Sequence, residues 1–295
     1  MITVYKHIEE ELVSDCTVSD ATKGSWVNLV NPDPDELSLI NILTEIPTDV
    51  LKTAPAIRGN DMYDTVPLGI FLTPDFFITV CLEESEVLYP FISNQLSTFY
   101  TYKKTRFLFQ ILYRTATLFL RYLQQINRRT DDIEVQLRHT TKNKDFFQLL
   151  ELQKSMTYFT SALRTNGTVM ERLLRLRGHS TYRHLLKMYE EDEDLLEDVI
   201  IENKQAIEMV EMYSNILMNM MNAFTSIISN NLNMVMKMLA ALTITLAVPT
   251  IIFSLWGTNV ALPFQDDPNG FYEVVGISVV CSIIAIIGMW KKDLF

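Results

Sequence analysis

The most constraining feature of this chain is a row of small and polar residues that recurs every three or four positions. Alternating steps of four and three are typical of the seam of a helix that packs against copies of itself. An ordinary coiled coil has an apolar seam, whereas every member of this one except Met236 is small or polar. The row consists of Asn215, Asn219, Asn222, Ser226, Ser229, Asn233, Met236, Ala240, Thr243, Ala247, Thr250 and Ser254.

The polar row continues into an apolar segment, Met238 to Trp256, which is just long enough to cross a bilayer as a helix. Polar groups at membrane depth are tolerated mainly in the interior of a helix bundle or in an aqueous cavity. A stripe of Thr, Ser and Ala through lipid therefore indicates a face that is turned to water. We interpret the part of the row from Asn222 to Ser254 as the lining of a pore.

A second apolar segment, Phe271 to Trp290, follows after a short polar link, so the sequence predicts a hairpin of membrane helices. Bases flank the hairpin and acids occupy the link, at Lys237, Lys291, Lys292, Asp266 and Asp267. This asymmetry predicts a multi-pass protein of the cell membrane with both termini in the cytoplasm. The first ten residues lack the apolar core of a signal peptide, so we expect roughly the first 237 residues to stay in the cytosol.

Composition and motifs argue against several classes of function. The net charge of -11 argues against nucleic acid as a partner, because phosphate binding needs a basic surface. The sequence has no nucleophile elbow and no phosphate-binding loop, so we expect neither an enzyme nor a cofactor. The cysteines and histidines show neither disulfide nor metal-site spacing: Cys16, Cys81, Cys281, His7, His139, His179 and His184.

The first hundred residues predict a cytosolic α+β domain. Short β-prone runs at Ile2–Tyr5 and Trp26–Leu29 precede a helix that starts within Asn31–Glu36 and ends near Thr44. Two further runs on either side of Thr73–Asp75 predict a β-hairpin. The expected order begins with an α/β domain at 1–100, long antiparallel helices at 101–180 and a stalk helix at 181–237. Membrane spans follow at 238–256 and 271–290, with an extracellular loop at 257–270 between them and a tail at 291–295.

Long helices follow the α/β domain, because apolar residues recur at helical spacing and no proline occurs between Pro90 and Pro249. Asn166–Gly167 predicts a kink in the second of these helices, and Gly178 predicts a cap at its end. We expect helices from about Lys104 to Thr140, from about Lys144 to Leu176, and from about Thr181 without a break into the first span.

These motifs together resemble the CorA family of divalent-cation channels. The stretch Ser229–Leu239 enters a Thr-rich span with an internal Pro249, and the span ends in Trp256-Gly257-Thr258-Asn259. The family has two membrane helices at its C-terminus and a Gly-Met-Asn tripeptide that closes the first. The link Val260–Phe264 resembles the form found in Gram-positive members, and the order of parts is similar over the whole chain.

The resemblance implies a funnel-shaped homopentamer whose third long helix lines a pore for Mg²⁺, with Co²⁺ and Ni²⁺ as further ions. It assigns the selectivity filter to Gly257, Thr258 and Asn259, with Thr258 in place of the usual Met. We expect Gly257 to adopt backbone angles that other residues avoid where the helix ends. Asn259 is expected to offer neutral amide oxygens to the water shell of the ion.

The resemblance also suggests a gate and a regulatory ion. Met236 is expected to form a dry constriction, and Asp266 and Asp267 are expected to raise the cation concentration outside. Mg²⁺ bound between neighbouring subunits is expected to hold the channel closed, and Asp198 is the candidate ligand. Seven of the nine residues from Glu190 to Asp198 are acidic, although such a cluster also suits a plain solvated surface.

Two alternatives stay open at this point. Gly-x-Asn variants in this superfamily include zinc transporters of the ZntB type, which are held to work with protons. A membrane-anchored scaffold is the other alternative, but it does not explain why the polar row crosses the bilayer. Magnesium is favoured over zinc because the first span and the mouth offer no His or Cys ligands of the kind that a dehydrated Zn²⁺ prefers.

Overall fold

The computed structural model describes residues 1–8, 11–16, 21–44, 46–47, 63–96, 98–139, 143–176, 186–258, 262–263 and 268–291. The chain divides into two compact units, Met1–Met220 and Met221–Phe295. The strands are β1 (Ile2–Ile8), β2 (Glu11–Cys16), β3 (Trp26–Val30), β4 (Gly69–Leu72) and β5 (Phe77–Cys81). The helices are α1 (Pro34–Thr44), α2 (Tyr89–Ile92), α3 (Lys104–His139), α4 (Asn143–Leu176), α5 (Glu190–Trp256) and α6 (Gly270–Trp290).

The strands of the first unit form one mixed sheet in the order β2-β1-β3-β5-β4. Strands β3 and β5 are parallel, and the other pairs are antiparallel. The predicted hairpin is confirmed as β4 and β5, and Thr73 closes its turn by accepting the Phe76 N–H at its hydroxyl over 2.8 Å. Strand β2 was not predicted; it pairs with β1 at the edge of the sheet.

Each face of the sheet has its own core, because successive side chains of a strand point to opposite faces. Val27 and Ile78 point towards α1, whose Ile40 is fully buried. Trp26 and Phe77 point the other way, into an aromatic cluster centred on Phe107 of α3. The Phe107 ring lies 4.3 Å from that of Phe77 and 4.5 Å from that of Phe99, measured between centroids. This cluster anchors the start of α3 on the sheet.

The long helices agree with the sequence expectation in two cases and differ in the third. Helices α3 and α4 occur where the spacing predicts them, and α4 continues through Gly167 without a break. The predicted start of the third helix near Thr181 is wrong, because residues 186–189 are not helical and α5 begins at Glu190. The predicted cap at Gly178 lies outside the described residues.

The start of α5 is fixed by a cap. The carboxylate of Asp192 accepts the backbone N–H of Tyr189 at 3.1 Å, and the N–H of Asp192 donates to the Tyr189 carbonyl at 3.0 Å. The first of these bonds is the half of a capping box in which the acid at the third helical position accepts the N–H of the residue before the helix. In place of the other half, the Asp192 N–H is satisfied by a backbone carbonyl. Acids in the first turn, Glu190 to Glu193, also suit the positive end of the helix dipole.

Helices α5 and α6 are long and apolar enough to cross a membrane. In the most apolar stretch of each, only 6% and 17% of the residues are buried, so neither stretch is the core helix of a soluble domain. Helix α5 has 67 residues, which corresponds to a length of about 100 Å at 1.5 Å per residue. The membrane segment is therefore the last part of one continuous helix that begins in the first unit.

Candidate pore-lining site

The polar row lies on one exposed face of α5. Its members in the second unit are all exposed except Ala247, which is half-buried. Met236 is 56% exposed, although it is the one large apolar side chain of the row. The residues that the sequence assigns to the pore are Asn222, Ser226, Ser229, Asn233, Met236, Ala240, Thr243, Ala247, Thr250 and Ser254.

The opposite face of the membrane segment is the buried one. Ala241 is 1% exposed, and the residues that follow it at helical spacing are half-buried: Thr245, Val248, Ile252 and Trp256. At about 100° per residue, the centre of this face lies roughly 190° around the helix from the centre of the polar row. Helix α6 also buries one face, at Val274, Ser278 and Met289. The polar row therefore faces away from the packed side of its own helix.

The hydroxyl groups of the polar row donate to their own helix. Thr243 Oγ1 donates to the Leu239 carbonyl and Thr250 Oγ1 to the Leu246 carbonyl, each at 2.8 Å, and Ser226 Oγ donates to the Asn222 carbonyl at 3.0 Å. Because the hydroxyl proton is used, the oxygen presents its lone pairs to the outside. The row thus offers acceptors, which suit the outward-pointing hydrogens of a cation's water shell.

Exposed apolar side chains border the polar row on both sides within the membrane segment. Leu239, Leu242 and Leu246 follow one side at steps of three and four, and all three are more than half exposed. Ile244, Ile251 and Leu255 follow the other side and are also exposed. A polar stripe between two apolar borders is the surface expected of a helix that packs between two neighbours in a ring.

Helix α5 ends in a tight turn at the expected filter. The Gly257 N–H donates to the Phe253 carbonyl at 3.0 Å, and the Thr258 hydroxyl donates to the Leu255 carbonyl at 2.7 Å. The indole N–H of Trp256 donates to the Pro263 carbonyl at 3.1 Å, so it ties the helix end to the link. The Leu255 carbonyl also accepts the backbone N–H of Thr258 at 3.3 Å. The Thr258 hydroxyl therefore adds a second hydrogen bond to this carbonyl, which a methionine side chain could not make.

The expected backbone conformation of Gly257 is wrong. Among the described glycines only Gly24 has a positive φ, so Gly257 does not use the left-handed region. A Cβ at Gly257 would lie 3.3 Å from the Phe253 carbonyl oxygen and 3.5 Å from that of Ser254. A side chain at this position would therefore crowd two carbonyl oxygens of the last helical turn, and the glycine avoids these contacts. Asn259, Asp266 and Asp267 lie outside the described residues.

The acidic cluster at the start of α5 divides into paired and exposed carboxylates. Arg106 of α3 pairs with Glu191 at 2.8 Å and approaches the buried Asp192 at 3.8 Å. Asp198, the candidate regulatory ligand, is exposed. Within the part of the chain that the structure describes, no three His, Cys, Asp or Glu side chains are grouped to hold a metal ion. Among the described residues, Asp198 therefore has no complete set of cation ligands.

We predict that the two faces of the membrane segment differ in their access to water. In a background with Cys16→Ser and Cys281→Ser, Thr243→Cys, Ala247→Cys and Thr250→Cys should react with small water-soluble thiol reagents. The controls Thr245→Cys and Val248→Cys lie on the packed face and should not react. Native Cys81 should stay silent, because burial raises the pKa of its thiol to about 11 and leaves little thiolate at neutral pH. Equal labelling of the two sets would contradict a water-filled polar row.

Comparison with known proteins agrees with this architecture. The structure superposes on that of the CorA magnesium transporter of Methanocaldococcus jannaschii with a TM-score of 0.80 and 21% identity, covering 100% of this chain and 99% of that one. It is also similar to the full-length CmaX protein, with a TM-score of 0.72 and 13% identity over 98% of this chain and 97% of that one. These similarities establish a CorA-like fold.

Sequence comparison identifies the family. The cobalt/magnesium transport protein CorA of Methanocaldococcus jannaschii is 25% identical over 232 residues, which is 75% of this chain and 69% of that protein. The family model described as CorA-like Mg²⁺ transporter protein matches residues 49–291. The chain therefore belongs to the CorA-like Mg²⁺ transporter family.

Proposed function

We propose that the protein conducts Mg²⁺ across the cell membrane through a pore lined by the polar row of α5. The observation that carries this proposal is the placement of the row, exposed and opposite the packed face of an otherwise apolar helix. Lipid contact would leave these acceptors without donors, whereas a water-filled pore supplies donors along the whole span. The cobalt and magnesium named for the relative are the first ions to test.

Copies of the chain form the pore as a closed ring in this proposal. The apolar borders on the two sides of the row are different surfaces. One consists of Leu239, Leu242 and Leu246, and the other consists of Ile244, Ile251 and Leu255. One border of each copy packs against the other border of the next, which is a heterologous contact that closes by rotation. The resemblance to the family suggests five copies in a funnel, with both termini in the cytoplasm.

The chemistry of the row suits a hydrated ion. Mg²⁺ gives up its waters reluctantly, so neutral acceptors can hold the ion through those waters. Asn259 supplies such acceptors at the outer mouth, beside the turn that Gly257 and Thr258 close. Asp266 and Asp267 belong to the same link in sequence, and in this proposal they raise the local concentration of cations outside the membrane. Proton coupling, as in a zinc transporter, usually needs a titratable group in the path, and Met238–Trp256 contains none.

We predict that the amide of Asn259 is needed for transport and that Thr258 is replaceable. Asn259→Ala removes the acceptor, and one hydrogen bond of this charge-assisted kind is worth about 1.5–3 kcal/mol, so Mg²⁺ flux should fall at least about tenfold. Thr258→Met is the matched control in the neighbouring position, and it should keep most of the flux. The measurement is uptake of Mg²⁺, Co²⁺, Ni²⁺ and Zn²⁺ by liposomes that contain the pure protein, with and without a proton gradient.

The same assay separates the competing functions. Mg²⁺ uptake that is independent of the proton gradient supports the proposed channel. Zinc uptake that requires the gradient would identify a coupled zinc transporter instead. An assembled wild-type protein that carries no ion would indicate a scaffold. If the assembled Asn259→Ala protein keeps the wild-type rate and selectivity of transport, the selectivity filter does not lie at the mouth.

We predict that Met236 forms the gate. Its thioether side chains, one from each copy, would form a dry constriction in a polar lining, and such a constriction blocks a hydrated ion when it is narrow. Met236→Ala should therefore raise the basal Mg²⁺ flux. Met234→Ala is the matched control, because Met234 is 62% exposed on the same turn but lies off the polar row. Equal flux in the two variants would reduce Met236 to a packing role.

We predict that Asp198 takes part in inhibition by cytosolic Mg²⁺. The residue is exposed, so it is free to meet carboxylates of a neighbouring copy, and a hard cation would relieve their repulsion. Asp198→Ala should raise the Mg²⁺ concentration that closes the channel. Glu208→Ala, another exposed acid of the same helix, is the control and should behave as the wild type. Unchanged inhibition in Asp198→Ala would exclude this residue from the regulatory site.

A further inference from the structure

A single buried amide interrupts the apolar face that α5 turns towards α4. Val199, Ala206 and Val210 on this face are fully buried, and Asn203 between them is only 2% exposed. Its Nδ2 donates to the backbone carbonyl of Leu163 in α4 at 3.1 Å. Its Oδ1 is buried and has no hydrogen-bond partner among the residues that the structure describes. A polar group in such a place lowers stability unless it is fully paired, so its presence calls for another role.

Gly167 of α4 makes room for this amide. A Cβ at Gly167 would lie 3.1 Å from Asn203 Nδ2, which is closer than nearly all real contacts of a Cβ atom. Leu163 and Gly167 are one helical turn apart, so the missing side chain opens the Leu163 carbonyl to a donor from outside the helix. Gly167 is the one glycine of α4, and a slip of one turn would place Asn203 beside a residue that has a side chain.

We propose that Asn203 is a positioning residue that holds α4 and α5 at one register, so that the two helices move as one body when the channel opens and closes. The second half of this inference rests on the proposed channel function. Apolar helix faces present similar side chains at every turn, so two such faces can also pack after a shift of one turn along the helix axis. A buried Asn with one available partner selects a single register. Two further contacts follow the same register, Gln153 to Ser214 at 3.0 Å and Arg164 to Glu211 at 2.7 Å.

The register can be measured as a distance between spin labels. Thr157→Cys and Glu197→Cys place labels on exposed positions of α4 and α5 in a chain without its native cysteines. Labelled chains are diluted with unlabelled ones, so that only distances within one chain are recorded. The parent should show one distance, and Asn203→Leu should add a second population displaced by about 5.4 Å, one helical turn. Val210→Ala, on the same buried face, is the control and should keep the single distance.

Two further measurements keep the inference open to refutation. Gly167→Ala should also populate the second distance, because its methyl group would lie 3.1 Å from Asn203 Nδ2 and would push the amide off its present position at the Leu163 carbonyl by a few tenths of an ångström. In the parent, the distance should be the same in excess Mg²⁺ and after Mg²⁺ removal. A single distance in both Asn203→Leu and Gly167→Ala, or a shift of about one turn on Mg²⁺ removal, would overturn the proposal. If the parent protein carries no Mg²⁺, the proposed channel function is refuted but the proposed register is not. The distances between spin labels in the variants do not depend on transport.

Discussion

The structure depends on one constraint, which is that a polar side chain in lipid must find hydrogen-bond partners. Helix α5 meets it in two ways. The hydroxyls of Thr243 and Thr250 use their protons on carbonyls of the preceding turn, so both of these donors are satisfied. Their oxygens still need donors, and the packed face of the helix lies on the opposite side. The helix therefore fits a membrane only where its polar face is turned to water, and the proposed ring of copies meets this requirement.

A pore lining without charges suits a strongly hydrated ion better than a charged lining does. Carboxylates along the span would bind a divalent cation tightly and would be costly to bury, whereas hydroxyl and amide oxygens engage the water shell and release it. The charges of the chain are accordingly placed elsewhere. The first turn of helix α5 contains four acids, and Arg106 of α3 compensates two of these carboxylates, Glu191 and Asp192. The exposed Asp198 is left available for a partner outside the chain.

The sequence predicts elements whose signal is local and misses those that depend on a distant partner. Helical spacing predicts α3 and α4, and Thr73–Asp75 predicts the hairpin, because a few neighbouring residues decide each of them. The start of α5 at Glu190 depends on the cap at Asp192 and on Arg106, which lies far away in sequence. The five consecutive acids from Glu190 to Asp194 were the local signal for that start. Strand β2 has no such signal, since it is an edge strand that depends on its pairing with β1.

Gly167 has a packing role that the local rule for glycine does not predict. Helix α4 continues through this position, and the glycine accommodates an amide from α5. Helix faces that are purely apolar look alike after a slip of one turn, and the longer the helices, the more registers compete. A molecule built from helices of 34 and 67 residues therefore needs polar marks of register. Asn203 serves as such a mark in the first unit, and the asparagines of the polar row can serve the same purpose between copies.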